Sequence, residues 1–135
     1  MEKIGIKVLL IVGDDDYREL ITEPLAASGF EVTPYILRLA TYPGGLLNIL
    51  KKERFDIIIA TNLGMPFRYV PEQVEMAREH ARDAGIIVIS GYVEDTFLEK
   101  LSRIPRSAFI NAPVHLNVLV AKVREIAEMG RAKQK

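Results

Sequence analysis

Cysteine is absent from the 135 residues. That excludes disulfides, thiolate metal ligands and thiol nucleophiles, and it suits a reducing compartment, so the cytoplasm is the expected location. An excess of charge of either sign is missing too: 18 Lys and Arg balance 18 Asp and Glu. With no net field to attract nucleic acid or an anionic membrane surface, neither is expected as a partner, and recognition must be local. No apolar run approaches the roughly 20 residues that span a bilayer, and the opening Met1-Glu-Lys-Ile lacks the apolar stretch of a secretory signal. The chain is therefore expected to be soluble. Histidine is scarce, and His80 and His115 have no ligand or carboxylate spacing around them, so neither reads as a metal ligand or catalytic base. Gly44-Gly45 follows Pro43 without a GxGxxG or P-loop pattern and reads as a turn before a helix. The basic tail GRAKQK reads as a solvated end, because no nucleic-acid recognition motif accompanies it.

What is present is aliphatic. A hydrophobic content of 49% is enough for one well-buried core in a chain of this length. The runs IKVLLIV (6–12), DIIIA (56–60) and IIVIS (86–90) are short and nearly all aliphatic, as strands buried on both faces of a parallel sheet are. FEVTPY (30–35) and SAFIN (107–111) read as two weaker strands. Helical spacing falls over 16–28, 45–53, 71–84, 94–103 and 115–129, the last carrying Leu116, Leu119, Val120, Val123, Ile126 and Ala127 on one stripe. Five strands alternating with five helices predict a doubly wound α/β sheet in the flavodoxin-like order 2-1-3-4-5. A ligand site is then expected at the carboxyl ends of strands one and three, at Gly13-Asp14-Asp15-Asp16 and Thr61-Asn62. Residues 1–130 are expected to form one domain and 131–135 to fray. Two local misfits stand out: Pro24 inside the first helix, with an expected kink costing about 3 kcal/mol, and the long connection LRLATYPGG (37–45).

Read in order, these pieces resemble the receiver domain of two-component response regulators over roughly residues 5–128. The opening LLIVGDDDYRELI with the later GFEV resembles the first strand, acidic pair, first helix and second strand of that family. FDIIIATNLGMP resembles its third strand and Met-Pro turn, IIVISGY its fourth strand ending in a hydroxyl residue, and AFINAP its fifth strand and Pro-ended loop. The resemblance implies a phosphorelay chemistry. An aspartate ending strand three attacks a phosphoryl donor, acids after strand one hold magnesium, a lysine after strand five pairs with the phosphoryl oxygens, and a hydroxyl on strand four and an aromatic on strand five act as switches.

This chain departs from that pattern residue by residue. The acceptor position falls on Asn62 counting back from Met65-Pro66 and on Thr61 counting forward from Phe55-Asp56, because the segment holds one extra residue. Neither is a carboxylate. An amide lacks the nucleophilic oxygen of an aspartate, and a threonine hydroxyl needs a general base. The lysine position is Ala112, with Arg106 as a displaced cation to be considered. Asp14 and Asp15, with Asp16, have two readings that both stay open: capping the positive end of the first helix, or holding Mg²⁺ weakly through two carboxylates and water. Ser90 and Phe109 occupy the switch positions, with a capping hydroxyl and a core aromatic as their plain alternatives.

The resemblance implies a pseudo-receiver: a signalling module unable to take phosphate on aspartate, with no required cofactor. It implies partners or a second copy on the face made by the fourth helix, fifth strand and fifth helix, where Phe97, Lys100, Arg103 and Arg106 are candidate contacts. Two alternatives accompany it. One is a receiver triggered by phosphorylation of Thr61 or by a small ligand above Asp14 and Asn62. The other is a magnesium-dependent phosphatase of haloacid-dehalogenase type, with Asp14 as nucleophile and Asp16 as acid/base, lacking the lysine and acidic pair that such chemistry needs.

Overall fold

The computed structural model describes residues 5–133, with side chains described as far as Gly130. Strands β1 (Lys7–Val12), β2 (Glu31–Ile36), β3 (Ile57–Thr61), β4 (Gly85–Ser90) and β5 (Ser107–Asn111) alternate with helices α1 (Asp15–Ala27), α2 (Gly44–Lys52), α3 (Tyr69–His80), α4 (Asp95–Ser102) and α5 (Leu116–Lys133). All strands are parallel in the order β2-β1-β3-β4-β5, as expected.

The aliphatic runs explain why the sheet sits in the middle. Side chains of a strand alternate between faces. Val8, Leu10 and Val12 therefore enter one core with Ile21 and Leu25 of α1 and Leu119, Val123 and Ile126 of α5. Leu9 and Ile11 enter the other, with Leu46 and Leu50 of α2, Val70 and Val74 of α3 and Phe97 and Leu101 of α4. β1, β3 and β4 are buried on both faces, apart from half-buried Lys7 at the entry to β1, while the edge strands β2 and β5 are only half-buried. Continuous aliphatic sequence and central position thus have one cause.

Two helix ends differ from the sequence reading by more than two residues. α3 stops at His80 instead of 84, since Ala81 leaves helical geometry and Ala84 closes a turn onto its carbonyl. The chain needs that turn to deliver Gly85 into register with Ile57. α5 runs on to Lys133, which takes most of the expected fraying tail into the helix, while residues 134–135 lie outside the described residues. α1 continues through Pro24 to Ala27, in line with the helix read over 16–28. The proline stands in the last turn, and the carbonyl it leaves without a helical partner belongs to Leu20, on the exposed side. The Pro24 carbonyl accepts the Ser28 hydroxyl at 2.9 Å, which closes that end of the helix.

Candidate functional site

The carboxyl ends of β1, β3, β4 and β5 converge on one crevice, and the first question is what the extra residue of IIIATNLGMP does. The β1–β3 ladder ends at Ile11 opposite Ala60, so Thr61 has a neighbour in β4 but none in β1. Its backbone groups are met by a side chain. Gln73, fully buried on α3, accepts the Thr61 N–H at 3.3 Å and donates to the Thr61 carbonyl at 3.2 Å, with the Met65 sulfur 3.3 Å from the same Nε2. The glutamine amide stands in for a strand, and the inserted residue is absorbed without orphaned backbone groups. Sequence reasoning passed over Gln73. Its signal was a polar residue on the apolar stripe Val70, Val74, Ala77 of α3, where a glutamine is buried only if both its ends are bonded.

Thr61 is itself fully buried. Its hydroxyl donates to the Ile11 carbonyl at 2.7 Å and accepts the Leu63 N–H at 3.2 Å. The Thr61 hydroxyl, considered above as an alternative acceptor, thus directs its one proton to a backbone oxygen and is buried beneath the crevice. Asn62 takes the half-exposed place at the crevice. Its Oδ1 accepts the Gly91 N–H at 3.3 Å, tying the ends of β3 and β4 together, and its own N–H donates to the Ile89 carbonyl at 3.2 Å.

The acids after β1 do different work from one another. Asp14 is the N-cap of α1, with Oδ1 accepting the Tyr17 N–H at 3.0 Å. Asp15 is exposed and pairs with Arg18 at 3.3 Å, and Asp16 is exposed in the first helical turn. Both acids after the cap favour the positive end of the helix. Among the described residues no three acidic or histidine side chains come together in a way that could hold a metal ion. Asp14 and Asp16, the acids of the alternative phosphatase reading, stand at the start of the helix. Close approach of Gly13 to Gly64 fixes this corner: the Gly13 N–H donates to the Leu63 carbonyl at 2.7 Å, and any Cβ on Gly13 would overlap the Gly64 carbonyl.

On the far wall, Ser90 is fully buried, and its hydroxyl closes a local turn by donating to the Tyr92 carbonyl and accepting the Tyr92 N–H at 3.1 Å. Ala112, whose N–H donates to the Ser90 carbonyl at 3.0 Å, brings only a methyl group to the lysine position. Phe109 is half-buried against the α2–α3–α4 side of the sheet. Arg106 is corrected as a displaced cation. It precedes β5 at the opposite end of the sheet, where its guanidinium donates to the Asp83 carbonyl and lies against Gly130. Phe97 is likewise corrected as a surface contact, because it is buried and packs edge-on against Phe67 at 5.5 Å between ring centroids. Lys100 and Arg103 are exposed as expected, the latter paired with Glu99 at 2.6 Å.

The resulting crevice is a cavity of about 450 Å³ lined by Tyr17, Leu20, Ile21, Asn62, Leu63, Gly64, Gly91, Ala112, Pro113 and Val114. No acid, lysine, arginine or histidine is among them. Asn62, Gly91 and Ala112 have come together around a largely apolar hollow.

No family model matches the chain, and no curated protein matches it. Solved structures do. The chain is similar to a CheY-like response regulator receiver domain protein from Methanospirillum hungatei JF-1, with 22% identity, a TM-score of 0.79, and coverage of 96% of this chain and 99% of that one. It is similar to a response regulator receiver protein from Sinorhizobium medicae WSM419, at 18% identity and a TM-score of 0.74 over 96% of this chain and 99% of that one. A response regulator from Thermotoga maritima matches at 18% identity and a TM-score of 0.71 over 91% of this chain and 98% of that one. The chain therefore has the flavodoxin-like fold of response-regulator receiver domains.

Proposed function

We propose that this chain is a receiver-like signal transduction module that does not accept phosphate on aspartate and works through protein contacts. One observation carries the reading: a receiver crevice retained in shape but lined by no charged residue. Phosphoryl transfer needs an anionic or activated nucleophile and a cation for the charge that develops. Asn62 offers an amide and Ala112 a methyl group, while Asp14 uses one carboxylate oxygen to cap α1 and sets the other beside Gly64. On this reading the chain is not an enzyme and requires no cofactor.

The interaction surface we favour is α4–β5–α5, for a partner protein or a second copy. The two sheet edges support it. β2 carries Pro34 and Glu31, devices that discourage strand pairing, whereas β5 reads SAFIN with neither proline nor charge. Exposed Leu98 and Val118 flank it on α4 and α5. Among the described residues no helix is long and apolar enough to cross a membrane, and the lack of cysteine supports placing the module in the cytoplasm.

The deciding experiment is incubation with acetyl phosphate and Mg²⁺ followed by intact-mass measurement. Unchanged mass is expected; a gain of one phosphoryl group mapped to an aspartate would refute the reading. A second reading, a neutral small molecule as trigger, is favoured by the 450 Å³ apolar hollow with Asn62 at its wall.

A further inference from the structure

The two edges of the sheet differ in what their backbones offer. In a parallel strand, alternate residues turn both N–H and C=O towards the same neighbour. The Ile86 N–H donates to the Arg106 carbonyl and the Ala112 N–H to the Ser90 carbonyl, so Ala108 and Ile110 face β4. Ser107, Phe109 and Asn111 therefore turn their backbone groups outward, where nothing among the described residues bonds them. On β2 the Glu31 and Leu37 N–H groups donate to the Ile6 and Val12 carbonyls, so the outward residues are Val32, Pro34 and Ile36, and Pro34 has no N–H to offer. We propose that β5 pairs antiparallel with β5 of a second copy of this chain, joining two sheets edge to edge in a two-fold dimer. The inference deepens the interaction-module reading: it rests on that reading only for a protein contact at β5, and it names the occupant and the register.

A bare strand edge is covered by another strand, because only extended backbone supplies donors and acceptors at the same spacing. A second copy fits because the pairing is symmetric. With Phe109 opposite the Phe109 of the second copy, Ser107 falls opposite Asn111 and Asn111 opposite Ser107, and each is a hydrogen-bonded pair. No other antiparallel register between two copies uses every outward group. Such an interface closes on itself, and Pro34 blunts the edge that remains free on each copy, so assembly stops at a dimer.

The helices beside β5 suit the same axis. A two-fold perpendicular to the sheet keeps each face on its own side, so α4 meets its copy on one face and α5 meets its copy on the other. Thr96 and Lys100 line the groove between α3 and α4. Asp95, Leu98 and Ser102, at spacings of three and four residues, share the opposite side of α4, and all are exposed. Leu98, at the middle of α4, comes opposite itself as Phe109 does at the middle of β5, and Asp95 comes opposite Ser102, so like charges do not face one another. On α5, Arg124 lies over the Phe30 ring on the side of α1. The side towards the β5 edge carries exposed Val118 together with Lys122 and Glu125, whose opposite charges are paired at 3.0 Å. Exposed apolar residues thus flank the bare strand on both faces, and neither flank sets a net charge against its own copy.

The test uses the whole chain. Sedimentation equilibrium up to about 1 mM should show a reversible dimer with a dissociation constant at or below about 100 µM. Amide hydrogen exchange should divide β5 by alternation: Ala108 and Ile110 slow at every concentration, Phe109 and Asn111 slow only where the dimer forms. Leu98→Lys sets two ammonium groups face to face at an exposed position, and Asn111→Pro removes an outward N–H without touching the β4 ladder. Each, checked for folding by circular dichroism, should weaken the dimer about tenfold, whereas Leu39→Lys, exposed in the loop after β2, should leave it unchanged. A chain monomeric to about 1 mM, a dimer in which Phe109 and Asn111 exchange as fast as in the monomer, or indifference to both β5-side variants overturns the proposal. A mass gain with acetyl phosphate would refute the phosphate-independent reading and leave this result standing, while a monomer of unchanged mass refutes the dimer alone.

Discussion

Replacing Gln73 with methionine keeps the length and flexibility of the side chain and removes its amide. The structure then leaves the Thr61 N–H and carbonyl without partners, because the β1 ladder ends one residue earlier and, among the described residues, Gln73 alone reaches them. A buried backbone group left unpaired costs about 1–3 kcal/mol, and two such groups, offset in part by burying a thioether, give an expected loss of about 3 kcal/mol. Against the 5–15 kcal/mol typical of a domain, that is a large fraction. Urea titration followed by circular dichroism reads it directly. With a slope of about 1.5–2 kcal/mol per molar, the midpoint should fall by about 1.5–2 M at unchanged slope. A companion variant, Thr61→Val, removes the hydroxyl between the Ile11 carbonyl and the Leu63 N–H and should lose about 1–3 kcal/mol by the same logic. A midpoint shift below about 0.3 M for Gln73→Met would refute the claim that a side chain replaces a strand at this point.

Other expectations follow from the same geometry. Gly13→Ala should destabilise by about 3 kcal/mol or prevent folding, since the new methyl overlaps the Gly64 carbonyl; a thermal melt within error of wild type would contradict this. Asp14→Ala should lose about 1 kcal/mol as an N-cap, with Asp14→Asn nearly neutral, compared by urea titration. Asn62→Asp alone should not gain a phosphoryl group from acetyl phosphate by intact mass, because Ala112 supplies no ammonium for the charge that develops. Burial, then the hydrogen bond to Glu72, raises the Tyr42 phenol above the ordinary tyrosine range. The folded state thus holds that proton more tightly than the unfolded state. Stability should fall as pH rises past the ordinary tyrosine pKa, and less so in Tyr42→Phe, by urea titration across that range.

Most of the fold was legible because parallel strands buried on both faces have few alternatives in sequence. IKVLLIV, DIIIA and IIVIS can only be central, and they are. Even the edge strands could be read, since their interrupted apolar pattern is what half-burial looks like. Of the positions that spacing singled out, Asn62 and Ala112 line one hollow, while Ser90 is buried and does not line it. What spacing could not give was direction in three dimensions. Arg106 lies close in sequence to Ala112, yet a five-residue strand carries it to the other end of the sheet. Phe97 sits on a polar-looking helix whose single buried stripe it heads. Gln73 and Thr61 are separated by 12 residues, and no local pattern announces a hydrogen-bonded pair across a strand and a helix.

The central claim, that the crevice has lost the charges that would take and hold a phosphoryl group, is tested most directly by ¹H–¹⁵N spectra recorded before and after adding Mg²⁺ and acetyl phosphate. The account predicts that the backbone amides of Asn62, Gly91 and Ala112 keep their positions throughout. Stoichiometric, donor-dependent shifts confined to those amides and to Asp14 would contradict it.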